Sequence, residues 1–262
     1  MDKNVNNKKL DTYLGLCTEV YELSKPSSPP DAYAFYRDYV MSANGSILEP
    51  MCGTGRFLLP LLEEGFDIHG FDASDHMLET LHDKAQIKGL KANVWKSFAQ
   101  DLDSPQKYDL IFIPSGSFGL ITDLEDVKIA LIKIYQHLND DGIFLFEAET
   151  PFANPNNSTD AIDNEWTHSS FQREDQKYIR LSTLTMPAKD NLSITKCKYD
   201  LIEDGNIIHT ELEEFKVRLY EQYQVKELLL AAGFKHIRAL KAFDRTKQPG
   251  YQDESIVYEC RK

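Results

Sequence analysis

From Ile47 onward, short apolar runs alternate with stretches in which apolar residues recur at helical spacing. That alternation is the pattern of a parallel sheet with crossover helices. Strands are predicted at 46–49, 67–71, 91–96, 109–113 and 142–147. Between the last two, Val127, Ala130, Leu131, Ile134 and Leu138 share one helical face, and Thr122 with Glu125 reads as a capping box before it. A later helix carries Val225, Leu228, Leu229 and Ala232 on one face and stops at Gly233. Strands at Lys235 to Leu240 and Ile256 to Cys260 follow it.

Residues 151–220 change the rhythm. Tyr178 to Met186, Thr195 to Leu201 and Asn206 to Tyr220 read as long antiparallel strands, with Asp204-Gly205 as a two-residue hairpin turn. In the last run the apolar set Ile208, Thr210, Leu212 gives way to Phe215, Val217, Leu219, a change of phase that predicts a bulge near Glu213 and Glu214. Upstream, residues 10–45 place Tyr13, Tyr21, Tyr33 and Tyr36 around a loop from Pro26 to Pro30, predicting two helices able to lie over a site as a lid. The expected division is 1–150 for the lid helices and first part of the core, 151–220 for an antiparallel insertion, and 221–262 for the rest of the core.

A chain of 262 residues supports one substantial core with an accessory lobe. Apolar residues at 42% and charged residues at 27% are ordinary for a folded domain. Twenty-nine basic against 42 acidic residues leave a net charge of −13, a field that repels nucleic-acid backbones. The four cysteines lack metal or disulfide spacing, so no metal is expected. The polar opening MDKNVNNKKLDTY and the lack of a long apolar stretch predict a cytoplasmic protein with no membrane partner.

The chemistry sits in Ile47 to Leu58, ILEPMCGTGRFL: an apolar run, an acid, two close glycines, then a helical pattern. Bare backbone N–H groups at such a turn let a nucleotide approach closely. Asp72 ends the second strand 23 residues after Glu49, where a carboxylate accepts hydrogen bonds from ribose hydroxyls. A dinucleotide turn would need a third glycine at position 58, which is Leu58. Glu49 would also repel a pyrophosphate, and suits a ligand with a cationic end.

Glu49, Gly53, Gly55, Asp72, Gln100-Asp101-Leu102 and the strand Tyr108 to Ile113 together resemble the class I S-adenosylmethionine-dependent methyltransferases, with Met51 standing where the first glycine usually is. The helical N-terminus and the insertion are similar to those of small-molecule members that include sugar-amine N-methyltransferases. The resemblance implies a Rossmann-like seven-stranded sheet of order 3-2-1-4-5-7-6 flanked by helices, with the antiparallel insertion after the fifth strand and the helical lid before the first. It implies S-adenosyl-L-methionine as cofactor and S-adenosyl-L-homocysteine as product.

By the same resemblance Asp72 binds the ribose and Asp101 the adenine amino group, with Leu102 and Met77 against the adenine faces. Gly53 and Gly55 pass beneath the methionyl part, and Glu49 orients its amino end. Met51, Arg56, Ala73, Gln100, Pro114, Ser115 and the lid residue Tyr21 complete the expected cofactor set. Glu147 and Glu149, at the end of the fifth strand, are candidates to hold an acceptor or take its proton, with His168 of the insertion a weaker one. In-line transfer from a sulfonium needs alignment and exclusion of water more than a base, so no obvious dyad is required.

The leading expectation is methyl transfer to N or O of a small molecule. Ile113-Pro114-Ser115-Gly116 lacks the N-P-P-[FY] of base-methylating relatives, which, with the acidic charge, disfavours a nucleic-acid acceptor. An RNA or protein methyltransferase, a cofactor-binding protein without turnover and a nucleotide-linked oxidoreductase remain as alternatives. Two roles are open to the insertion: covering the acceptor, or making a homodimer contact.

Overall fold

The computed structural model describes residues 10–153 and 165–262. Two helices open it, α1 (Gly15–Ser24) and α2 (Pro30–Ser42), joined across the proline loop. Then come β1 (Ile47–Pro50), α3 (Leu58–Glu63), β2 (Ile68–Asp72), α4 (Asp75–Ile87), β3 (Asn93–Lys96), β4 (Tyr108–Ile113), α5 (Leu124–His137) and β5 (Leu138–Glu149). An antiparallel run of β6 (Thr167–Gln172), β7 (Tyr178–Lys189), β8 (Leu192–Glu203) and β9 (Asn206–Arg218) precedes α6 (Gln222–Ala232), β10 (His236–Lys241) and β11 (Ser255–Arg261).

The main sheet runs β3-β2-β1-β4-β5-β11-β10, the expected 3-2-1-4-5-7-6 order, with β11 antiparallel to both its neighbours. Its parallel strands are covered on both faces, as crossover connections demand. Residues of α5 and α6 pack with Leu48, Phe71, Ile111 and Phe146 on one face, while α2, α3 and α4 pack with Ile47, Leu110, Phe112 and Leu145 on the other. Side chains alternate across the sheet, so successive residues of β1 and β4 serve opposite layers. The second sheet is β6-β7-β8-β9, inserted after β5.

Four local expectations are corrected. The cap of α5 is Asp123, whose carboxylate accepts from the N–H groups of Glu125 and Asp126 at 2.8 and 3.2 Å. A carboxylate there takes two donors and favours the positive helix end, while the Thr122 carbonyl accepts from Arg218 Nε at 2.8 Å. Leu138 stays fully buried, but it leaves the helix at ψ 140° and opens β5. β6 was not expected, because its THSSFQ sequence is exposed almost throughout and has no apolar alternation.

The bulge is not at Glu213 and Glu214. Pairing with β8 slips between Leu201 and Ile202, close to the hairpin turn. Glu213 itself is buried at 6% exposure, whereas Leu212 is 69% exposed. The inward face of β9 therefore runs through Glu211, Glu213, Phe215 and Val217, and the phase inferred from Ile208, Thr210 and Leu212 belongs to the outer face. Acidic residues point inward here because they bind the lid, as described below.

Candidate active site

The glycine turn lies at the C-terminal edge of the main sheet, where parallel strands end and crossover connections diverge. Cys52 N–H binds the Phe71 carbonyl at 3.0 Å, tying the turn to the end of β2. Met51, Gly53 and Gly55 all take left-handed backbone angles, with φ 59°, 54° and 80°. Met51 thus follows the path that glycine takes freely, at a strain of order 1–2 kcal/mol for a residue with a Cβ. Its side chain lines the cavity and leans on the core beside α5.

The two glycines do different work. A Cβ on Gly55 would sit 2.8 Å from Leu59 Cγ and 3.1 Å from Leu81, so that glycine serves helix packing. A Cβ on Gly53 would meet only Met77 Sδ, at 3.9 Å, and would otherwise project into open space. Gly53 is the bare stretch of backbone that a ligand can approach. Its N–H donates to Asp72 Oδ2 at 2.9 Å, and Ser74 N–H donates to Asp72 Oδ1 at 2.9 Å. Burial raises the Asp72 carboxyl, and these backbone donors oppose the shift. Each oxygen keeps acceptor capacity for a hydroxyl.

A cavity of about 310 Å³ opens over this turn. Met51, Gly53, Asp72, Ala73 and Met77 form one side, Ser97 to Gln100 a second, and Ile121 and Thr122 a third. Tyr13, Tyr21 and Phe215 contribute from the lid and β9. Of the expected set, Met51, Gly53, Asp72, Ala73, Met77, Gln100 and Tyr21 meet here. Asp101 is exposed at the end of a short 3-10 turn and outside the lining, with Gln100 in its place. Leu102 is fully buried in the core, and Gly55 is buried behind the turn. Pro114 and Ser115 lie beyond the lining, Pro114 buried and Ser115 exposed. His168 is exposed on the edge strand β6, bound to Ser182 Oγ at 2.8 Å, and does not reach the cavity.

The lid and the insertion form one cover. Glu213 accepts from the N–H groups of Tyr13 and Leu14 at 3.0 and 2.9 Å, and Glu211 accepts from Leu16 N–H at 2.8 Å. Two carboxylates from β9 thereby satisfy the open donors at the start of α1. Burial raises the Glu213 carboxyl, against which the two N–H groups act. Leu16, Cys17 and Val20 of α1 pack on Ile179, Cys197 and Tyr199 of the insertion. Ser74 Oγ donates to the Tyr13 carbonyl at 2.8 Å, fastening residues 10–14 over the mouth. Local sequence patterns gave no sign of this long-range cap beyond the misplaced phase of β9.

Beside the cavity, on the α2 side of the sheet, polar groups are buried without partners. Glu49 is 2% exposed and its Oε2 has no hydrogen bond. Burial pushes its carboxyl well above the usual range; Arg56 opposes this and Asp72 adds to it. Glu147 Oε2 and the Tyr36 hydroxyl are likewise unpartnered, at 8% and 1% exposure. Arg56 rests its guanidinium 4.8 Å from the Tyr21 ring centroid and reaches Ser115 Oγ at 3.5 Å. An unpaired buried carboxylate is costly, and a cationic ligand relieves that cost. The arrangement offers acceptor oxygens at Asp72 for a hydroxyl donor and a buried negative group at Glu49 for a cation.

A family model described as a methyltransferase domain matches residues 47–142, the segment from β1 into β5 that holds the turn. YqeM of Bacillus subtilis, a protein to which methyltransferase activity is provisionally ascribed, is 24% identical over 93% of this chain and 94% of its own length. The solved structure of an S-adenosylmethionine-dependent methyltransferase from Clostridium acetobutylicum superposes with a TM-score of 0.74 at 18% identity, covering 93% of this chain and 96% of that one. A sugar N-methyltransferase from Streptoalloteichus superposes with a TM-score of 0.73 at 16% identity over 100% and 99%. At those identities the structural likeness speaks for the fold.

Proposed function

We propose that this chain is a class I S-adenosylmethionine-dependent methyltransferase that transfers a methyl group to nitrogen or oxygen of a small molecule, a reading supported by the methyltransferase-domain match over residues 47–142. The observation that carries this reading is the joint cover: α1, capped by Glu211 and Glu213 of β9, closes over the 310 Å³ cavity. A site roofed from both the N-terminus and the insertion admits a compact acceptor and excludes a folded RNA or protein surface. The likeness to a sugar N-methyltransferase supports the same class.

In this reading Asp72 binds the ribose, the Gly53 backbone underlies the nucleoside, and Met77 and Gln100 flank the base. Gln100 takes the role assigned to Asp101 from the motif. Glu49 orients the amino end of the methionyl tail, and Tyr21 with Arg56 closes over it. S-adenosylmethionine supplies an already activated methyl group. The chain's part is to align the acceptor behind it, exclude water and accommodate the proton released.

Incubation with S-adenosylmethionine and a metabolite panel, with S-adenosylhomocysteine release and product mass as readouts, tests the proposal. Transfer to RNA or protein at low salt would replace it with the polymer reading. Tight S-adenosylhomocysteine binding without turnover on any acceptor would make the chain a binding protein. Among the described residues, no helix is long and apolar enough to cross a membrane.

A further inference from the structure

The cofactor turn accounts for Glu49, but not for a second set of buried polar groups two strands away. Glu147 lies on β5, with β4 between it and β1, so the two strand axes are roughly 10 Å apart. Residue parity puts both carboxylates on the α2 side of the sheet. Tyr36 of α2 stands among them, its hydroxyl buried, unpartnered and electrostatically coupled first to Glu147 and then to Glu49. Glu149, two residues beyond Glu147 on the same strand face, is half-buried and coupled to it.

We propose that Glu147, flanked by Glu149 and the Tyr36 hydroxyl, seats a basic nitrogen of the acceptor, so that the methyl group is delivered to an amine. The inference rests on the methyltransferase reading above and narrows its acceptor. Burial raises the Glu147 carboxyl, and the nearby Ser255 hydroxyl and Ser115 and Gly116 N–H groups oppose that shift. Its Oε2 is left over, nine-tenths buried and without a donor. An ammonium supplies the missing donor and the missing positive charge together.

Other charges nearby do not remove the need. Asp31 of α2 and Glu149 add negative charge. Lys25 is coupled to Glu149 but is exposed, its ammonium 5.4 Å from the Tyr21 ring centroid, and a ligand cation can take over its role. An oxygen acceptor would have to develop negative charge beside Glu149, which like-charge repulsion disfavours.

The step balances. The ammonium gives a proton to Glu147, freeing the nitrogen lone pair. That pair bonds to the methyl carbon as the carbon–sulfur bond breaks, its electrons staying on sulfur to give the neutral thioether. The methylated nitrogen leaves as an ammonium, and the Glu147 proton passes to solvent.

The test uses the full chain saturated with S-adenosylhomocysteine and matched probes: cyclohexylamine with cyclohexanol, benzylamine with benzyl alcohol, galactosamine with galactose. In thermal unfolding, an amine is expected to raise the midpoint where its alcohol does not, and Glu147→Gln to abolish the difference. The amide retains an acceptor for Ser115 and Gly116. Tyr36→Phe is expected to weaken the amine-dependent shift while leaving the S-adenosylhomocysteine-dependent shift intact. With an amine that is methylated, Glu147→Gln should lower kcat/KM by about 10- to 100-fold, the loss of one charged hydrogen bond. Equal shifts from amine and alcohol, no amine shift in the wild type, or transfer to the hydroxyl partner would overturn the inference while leaving the methyltransferase reading standing. Absence of any S-adenosylhomocysteine-dependent stabilisation would instead bring down that reading.

Discussion

Alanine at the two glycines of the turn separates binding from stability. At Gly55 an added Cβ meets Leu59 Cγ at 2.8 Å and two Leu81 atoms at 3.1 Å, with φ at 80°. The left-handed conformation costs a non-glycine residue about 1–2 kcal/mol, and overpacking a filled core adds about 1–3 kcal/mol. Gly55→Ala should therefore lose about 2–5 kcal/mol, a fall in midpoint on the order of 10 °C for a chain of this size. At Gly53 the backbone cost is similar, but the Cβ has only Met77 Sδ near it, at 3.9 Å. Gly53→Ala should thus lose about 1–2 kcal/mol of stability and place a methyl group where the cofactor meets the main chain. Thermal unfolding of the ligand-free proteins, followed by calorimetry with S-adenosylhomocysteine, reads both effects. Folded Gly55→Ala is expected to bind within about threefold of wild type, and Gly53→Ala at least about tenfold more weakly, one 1.4 kcal/mol step. Wild-type affinity in Gly53→Ala would show that the ligand does not cross the turn there.

Three further outcomes follow from the same geometry. Asp72→Ala removes charged hydrogen bonds to the ribose and should weaken S-adenosylhomocysteine by about 1–3 kcal/mol in calorimetry, an unchanged affinity placing the ribose elsewhere. Glu49, pushed up by burial from its ordinary 4.5, binds its proton more tightly folded than unfolded. Its contribution is therefore present below that ordinary value and lost as pH rises through the raised one. Glu49→Gln should stabilise the ligand-free protein at neutral pH, with the gain vanishing near pH 4, and should weaken cofactor binding; equal stability at both pH values would refute the burial argument. Finally, because Met51 holds φ at 59°, Met51→Gly should be more stable than Met51→Ala by about 1 kcal/mol in urea unfolding, and the reverse order would deny the strain.

Much of the fold was legible because it is written locally. The alternation of apolar runs with helical periods marks the strands of the main sheet and the helices α5 and α6, while the strand order is what the family resemblance implies. The glycine turn and Asp72 were readable for the same reason: a strand-end acid and a side-chain-free turn are properties of short segments. A motif fixes sequence spacing but not which of two adjacent residues faces the cavity; here the 3-10 turn leaves Gln100 in the lining and Asp101 exposed outside it. The capping-box pattern points to Thr122, but the helix starts one residue later and Asp123 is the cap, a shift that only the helix start reveals.

What tertiary structure alone decided is how distant segments meet. Local sequence predicts only a bulge near Glu213, yet Glu211 and Glu213 point inward because α1, some 195 to 200 residues earlier, offers them its open N–H groups. Glu147, Tyr36 and Glu49 come from three separate elements, and nothing in their local sequence says that they share one buried layer. Sequence sets the conformations that each segment can adopt, since backbone sterics and periodicity act over a few residues. Burial of charge, and so the chemistry it calls for, arises only when the segments pack.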